Sequence, residues 1–192
     1  MDFETTREGA PKQAMVSVAG LSEDVIENLC REVQDTHKGQ VCKIANYLFA
    51  VGFSIAGHED AVKALQEKAE EAGALQVRLL KTSGAFHTPL MQGAKDHLLA
   101  QLNGAKASMA PPRCAVYMNT TGEPLAAGTS VDEIIGLLGE QLVSPVRWTQ
   151  CMHRALEDGM TDFIECGPGK QLKAMMKRLD PKAWESMTNV PA

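Results

Sequence analysis

No stretch of the 192-residue sequence approaches the roughly 18 consecutive apolar residues that a membrane-spanning helix needs. Nor is there a block of Lys and Arg: 19 basic residues stand against 24 acidic ones, a net charge of −5. That balance argues against nucleic acid as the main partner and leaves no polybasic membrane signature. There is no C-x-x-C pair. The five cysteines, Cys30, Cys42, Cys114, Cys151 and Cys166, are odd in number and scattered, so they read as buried thiols in a reducing compartment. The only close Cys/His pairing, Cys151 and His153, would place its side chains about 200° apart on a helix, and no metal site is expected. Met1 to Gln13 is polar and mixed in charge, unlike a signal peptide or an Arg-rich transit peptide. Gly167-Pro168-Gly169-Lys170 lacks the extra glycines of a dinucleotide or phosphate-binding loop and reads as a tight turn.

What is present is an ordinary globular composition, 44% hydrophobic and 22% charged, long enough for one domain or one domain with a small subdomain. Ala14–Ala19 alternates as a strand, and Ser22 then caps a helix whose first turn holds Glu23 and Asp24. Strands follow at Val41–Leu48 and Phe53–Ala56. Next come a helix with Ala61, Val62, Leu65 and Ala69 inward and a strand at Leu75–Leu80. The order β-α-β-β-α-β over residues 14–80 is that of a ferredoxin-like unit. From 81 to about 180, longer helices alternate with isolated strands, a short buried one at 115–118 and another at 162–165, as in part of a doubly wound sheet. A capping box at Ser130 and Glu133 opens one of those helices. Residues 181–192 read as a loose tail. The class is therefore α/β.

One stretch carries a candidate for chemistry. Ser83-Gly84-Ala85-Phe86-His87-Thr88-Pro89-Leu90-Met91 sets a histidine among small residues between a strand and a helix, where α/β folds collect ligands and catalytic groups. The competing reading is a histidine that caps the next helix. Gly52-Phe53-Ser54-Ile55-Ala56 superficially resembles a G-x-S-x-G nucleophile elbow, but Ser54 lies inside an apolar run and the turn comes only at Gly57. It reads as a buried strand serine. Ser83 is close to His87 in sequence, yet the intervening residues give no reason to expect a hydrogen bond.

Gly-Ala-Phe-His-Thr-Pro-Leu-Met at 84–91 resembles the histidine motif of the malonyl-CoA:acyl carrier protein transacylases and related acyltransferase domains. Ile44-Ala45-Asn46-Tyr47-Leu48, Gln141 to Trp148 and Glu165 to Lys170 follow in the family's order. The resemblance runs from about Ala14 to Leu179, in wording closest to plastid-type members. It implies an incomplete α/β-hydrolase-like lobe at 81–180 beside the ferredoxin-like one. It also implies that His87 relays a proton between a serine nucleophile and the leaving thiol, oriented by the main-chain carbonyl of Gln141, with Asn46 lining the acyl pocket. The family's serine elbow and its arginine for the substrate carboxylate lie upstream of Met1. Where relatives have a Pro-Gly followed by an amide residue, this chain has Ala50-Val51-Gly52.

The implied reaction is malonyl transfer in fatty acid synthesis, with no cofactor, and with coenzyme A and the phosphopantetheine of acyl carrier protein as substrates. The expected partners are acyl carrier protein and either a missing N-terminal segment or other subunits of a complex. The expected setting is an organelle matrix such as the plastid stroma. As this chain alone, no activity is expected. The alternatives are a non-catalytic structural subunit and an acyl carrier protein binding module.

Overall fold

The computed structural model describes residues 12–82 and 84–191. Alternation decides the first half. In β1 (Gln13–Ala19), Ala14, Val16 and Val18 join one core cluster and Met15 another, which is the two-residue period of a strand with both faces covered. Helix α1 (Glu23–Thr36) buries Ile26, Cys30 and Val33 on one stripe. Strands β2 (Cys42–Phe49) and β3 (Gly52–His58) form a hairpin, α2 (Glu59–Glu71) buries Ala61, Val62, Leu65 and Ala69, and β4 (Gln76–Leu79) completes an antiparallel sheet in the order β2-β3-β1-β4. Val16 faces Ile55 in the β1–β3 register, and Val18 faces Val77 in β1–β4.

Both helices cover the same face of this sheet, closing a cluster around Val16, Val18, Ile26, Val33, Ile55, Val62 and Leu65. Each such side chain contributes about 1.5–3 kcal/mol through burial. The other face carries Met15, Ala45 and Ala56, and Ala85 packs there with Leu80, Phe86 and Leu90. The segment bearing His87 is thus docked on the second face of the sheet.

The chain returns to this sheet once more. Tyr47 N donates to Val146 O and Val146 N donates to Ala45 O, each at 2.8 Å, a parallel bridge on the edge of β2 at Asn46. Between the two visits lie a 3₁₀ turn (Pro89–Met91), α3 (Gln92–Ala105), the short antiparallel pair β5 (Val116–Tyr117) and β6 (Pro124–Leu125), and α4 (Val131–Val143). Ser130 caps α4 by accepting from Glu133 N at 3.3 Å. Gly139 lets α3 approach closely, since a Cβ there would stand 2.7 Å from a methyl of Leu99. After the bridge come α5 (Trp148–Glu157), β7 (Ile164–Cys166), α6 (Gln171–Leu179), α7 (Pro181–Ser186) and β8 (Thr188–Val190), with β8 parallel to β7.

The α/β class expected from the sequence is the class observed. Three local expectations need correction. Cys114, just before the short β5, and Cys166, at the end of β7, are exposed rather than buried, since neither strand is covered there. Residues 181–190 are no loose tail: Asp180 caps α7 by accepting from Ala183 N at 2.8 Å, Pro181 fits the first helical turn, and Ala183 and Met187 are buried against Met176. The strand at 115–118 is two residues long, and its Val116 is exposed. Its one strand neighbour is β6, so an apolar run that reads as core has little to pack against.

Candidate active site

His87 is the one non-glycine residue with positive φ, at 65°, among the described residues. A side chain with a Cβ rarely adopts that conformation, and here two bonds from His87 itself hold it. His87 N donates to Leu142 O at 3.0 Å, and its Nδ1 lies 2.7 Å from Gln141 O. Just beyond, fully buried Thr88 donates from Oγ1 to Ala85 O at 2.6 Å and accepts from Leu90 N at 3.3 Å, bracing the turn on both sides of the histidine. Because a carbonyl can only accept, the neutral ring carries its hydrogen on Nδ1, which leaves Nε2 as the basic nitrogen. Desolvation holds the imidazole below its ordinary pKa of 6.5, and hydrogen bonding to the backbone at Gln141 and Ser144 opposes this only in part. At neutral pH the ring is uncharged, the form that can take a proton.

The carbonyl is positioned in turn. It sits in the last turns of α4, where Glu140 pairs with Lys95 of α3 and accepts from Ser144 Oγ at 3.2 Å. The Lys95 ammonium keeps the Glu140 carboxyl below the usual range. Beyond α4 the chain is pinned at Val146 to the sheet edge, so His87 and Gln141 are both referred to the same four strands.

His87 lines a cleft of about 470 Å³ whose other walls include Tyr47, Ile44, Pro89, Val143 and Ser144, with Arg31 and Lys43 on its rim. The Arg147 guanidinium lies 5.9 Å from the Tyr47 ring centroid. Asn46 is on β2 between two wall residues, and its Oδ1 accepts from Ser54 Oγ, where the β2–β3 pairing shifts register. Ser54 is 3% exposed in mid-strand. Ser83 lies outside the described residues. The structure thus brings His87 and the Gln141 carbonyl together, and it sets Asn46 beside their cleft with its amide oxygen engaged. Thr88, Tyr47 and Ser144 were not singled out from sequence. The Thr-Pro step after the histidine, a cap followed by a first-turn proline, is the signal that could have found Thr88. Among the described residues, no group of three or more His, Cys, Asp or Glu side chains is placed to hold a metal, and no helix is long and apolar enough to cross a membrane.

Known proteins are similar to the chain over most of its length. The mitochondrial malonyl-CoA-acyl carrier protein transacylase of Homo sapiens is 33% identical over 190 residues, which takes in 94% of this chain and 47% of that protein. The chain belongs to the malonyl-CoA:acyl carrier protein transacylase family. A crystal structure of the family member from Streptococcus pneumoniae superposes with a TM-score of 0.81 at 33% identity, covering 94% of this chain and 55% of that one. A malonyl-transacylase in complex with its type II PKS acyl-carrier protein superposes with a TM-score of 0.84 at 28% identity, over 98% of this chain and 57% of that one. No family model matches the chain. The chain spans about half the length of the curated relatives it matches.

Proposed function

We propose that this chain is the histidine-bearing half of a malonyl-CoA:acyl carrier protein transacylase, and that polypeptide outside this sequence supplies the serine nucleophile. The observation that carries the reading is His87, uncharged and held through Nδ1 by the Gln141 carbonyl, on the wall of an open cleft. In the forward half-reaction His87 takes the serine hydroxyl proton as that oxygen attacks the thioester carbonyl of malonyl-CoA. The C–S bond then breaks, and the proton passes to the departing thiolate. In the second half-reaction the phosphopantetheine thiol of acyl carrier protein gives His87 its proton and attacks the malonyl ester, which returns the serine. The cationic rim at Arg31 and Lys43 fits the phosphates that both thiol carriers bring. We assign the carboxamide nitrogen of Asn46 to the substrate side, since its oxygen is engaged by Ser54.

We read residues 14–80 as a ferredoxin-like subdomain and 81–180 as part of an α/β-hydrolase-like lobe. The strand order β2-β3-β1-β4 supports the first of these units. The compartment we assign is an organelle matrix. The mitochondrial relatives favour a mitochondrial one over the plastid stroma expected from the sequence.

The test is reconstitution. Co-expression with a serine-bearing N-terminal half of a relative is expected to give a soluble transferase that depends on His87, while the chain alone gives no malonyl adduct with malonyl-CoA. An adduct on Ser54 or Ser83 would overturn the assignment of the nucleophile. A second reading, a structural subunit without catalysis, is favoured by the exposure of Val116, Ile164 and Val190. Failure of every serine-bearing half to bind, with stable capture of the chain by a larger assembly, would select it.

A further inference from the structure

The core of the four-stranded unit is complete, but the two edges of its sheet are not alike. The outer edge of β2 carries the bridge to Val146, whereas β4 pairs with β1 and, among the described residues, with no strand beyond it. Leu80 N donates to Met15 O at 2.8 Å, and in the β1–β4 register this turns the main-chain groups of Arg78 and Leu80 inward and those of Val77 and Leu79 outward. The side chains at this edge are apolar too. Val77 packs against the core, while Leu79 and Leu75, the residue just before β4, are 50% and 87% exposed. From Ala74 to Leu80 there is no proline or glycine, and Arg78 is the one charged residue, so the devices that usually keep a strand edge from pairing are scarce.

We propose that β4 is an interface for a second copy of this chain, joining the two sheets edge to edge about a twofold axis. An antiparallel edge can pair with itself, and the strand's own sequence selects the register. The main-chain groups of Val77 face outward, so the axis passes between Val77 and its copy, and the two exchange a pair of N–H···O bonds. Leu79 of each chain then stands opposite Leu75 of the other, and Arg78 stands opposite Gln76, whose amide oxygen can accept from a guanidinium. Centring the axis on Arg78 instead would set the two guanidiniums against each other and bring together main-chain groups that already point inward. In the Val77 register Lys81 of each chain comes opposite Gly73 of the other, two residues past the acidic end of α2 at Glu70 and Glu71, so opposite charges are brought to both ends of the contact. A strand this short buries less than the roughly 1,200 Å² of a stable dimer, and the association is weak, with a dissociation constant on the order of 0.1 mM. The contact uses no residue of the histidine cleft and does not depend on the transferase reading.

The experiment is sedimentation equilibrium of the chain over a concentration series that brackets this constant, with amide hydrogen exchange read by NMR on the same samples. The expected result is a monomer–dimer equilibrium in which the Val77 and Leu79 amides gain protection as the concentration rises. Gln76→Glu should tighten the dimer about fivefold by meeting Arg78 of the other copy, and Gln76→Arg should loosen it by a similar factor. Leu79→Lys should leave the chain monomeric, and Ile164→Lys, on the exposed strand β7, should leave the dimer unchanged. The proposal is overturned by a chain that stays monomeric throughout the series, by association that Ile164→Lys abolishes and the Gln76 variants do not alter, or by Val77 and Leu79 amides whose exchange is independent of concentration. Protection of those amides only on addition of a serine-bearing half would also overturn it and assign the edge to that half. Where Leu79→Lys does not fold, the two substitutions at exposed Gln76 decide the question.

Discussion

The four-stranded unit and the remainder of the chain treat their apolar residues differently. In the first, Val16, Ile26, Ile55, Val62 and Leu65 are all fully buried, and two helices complete one face of the sheet. In the second, α3 buries no residue completely, and Ile164 and Val190 are 61% and 52% exposed on the parallel pair β7–β8. Parallel strands are ordinarily covered on both faces, and among the described residues this two-stranded parallel sheet keeps apolar side chains open. The contrast separates a unit that closes on itself from one whose apolar strands stay open among the described residues.

The largest effect expected concerns the residue where the two regions meet. In the reconstituted enzyme, His87→Ala should lower kcat/KM by about 10²–10⁴-fold, the usual range for a positioned base. The sign of the pH dependence follows from the depressed pKa: the neutral base persists to lower pH than an ordinary histidine, so the acid limb of the profile should fall below pH 6.5. A limb centred above 6.5, or little effect of the substitution, would remove the base role.

Leu65→Ala comes next, inside the closed unit. It should cost about 2–5 kcal/mol in denaturant unfolding, because the side chain is fully buried and its neighbours are fixed by two helices and a sheet. Thr88→Val follows at about 1–3 kcal/mol, the cost of leaving the Ala85 carbonyl without its donor. Its diagnostic is the His87 ring: NMR titration should show the imidazole pKa moving back towards 6.5 in Thr88→Val and staying low in Thr88→Ser. The smallest effect is expected in the open region. Ile164→Thr should change the stability of the isolated chain by under about 0.5 kcal/mol while weakening its association with a serine-bearing half. A loss at Ile164 as large as at Leu65 would erase the distinction between the regions.

The closed unit was legible because its signals are local. Alternation in 14–18, acids after Ser22 and the Ala61–Ala69 stripe each mark one element, and the structure moves their ends by about a residue or two. The open region was less so. Whether Val116 lies in a core depends on a neighbouring layer, which a four-residue apolar run does not encode. Residues 181–190 carried a readable signal in Asp180-Pro181, but the parallel bond from β8 to β7 reaches across more than twenty residues and has no local mark. At the cleft, the meeting of His87 with the Gln141 backbone came from resemblance alone, since no periodicity links residues 54 positions apart. The positive φ of His87 and the anchoring of Asn46 by Ser54 are tertiary outcomes that its neighbours in sequence do not announce.

The pinning of Val146 to the edge of β2 also bears on how this protein could be re-engineered. Residues 88–140 leave the sheet at the histidine and come back to it at the carbonyl, so they form an excursion whose two ends are clamped by main-chain bonds. Doubling the length of a flexible loop costs only about 0.6 kcal/mol of closure entropy. The exposed stretch at Ala110–Pro111, between α3 and β5, should therefore accept a tag or a small inserted domain without displacing the imidazole. The same insertion between Pro145 and Trp148 would push the clamp itself apart.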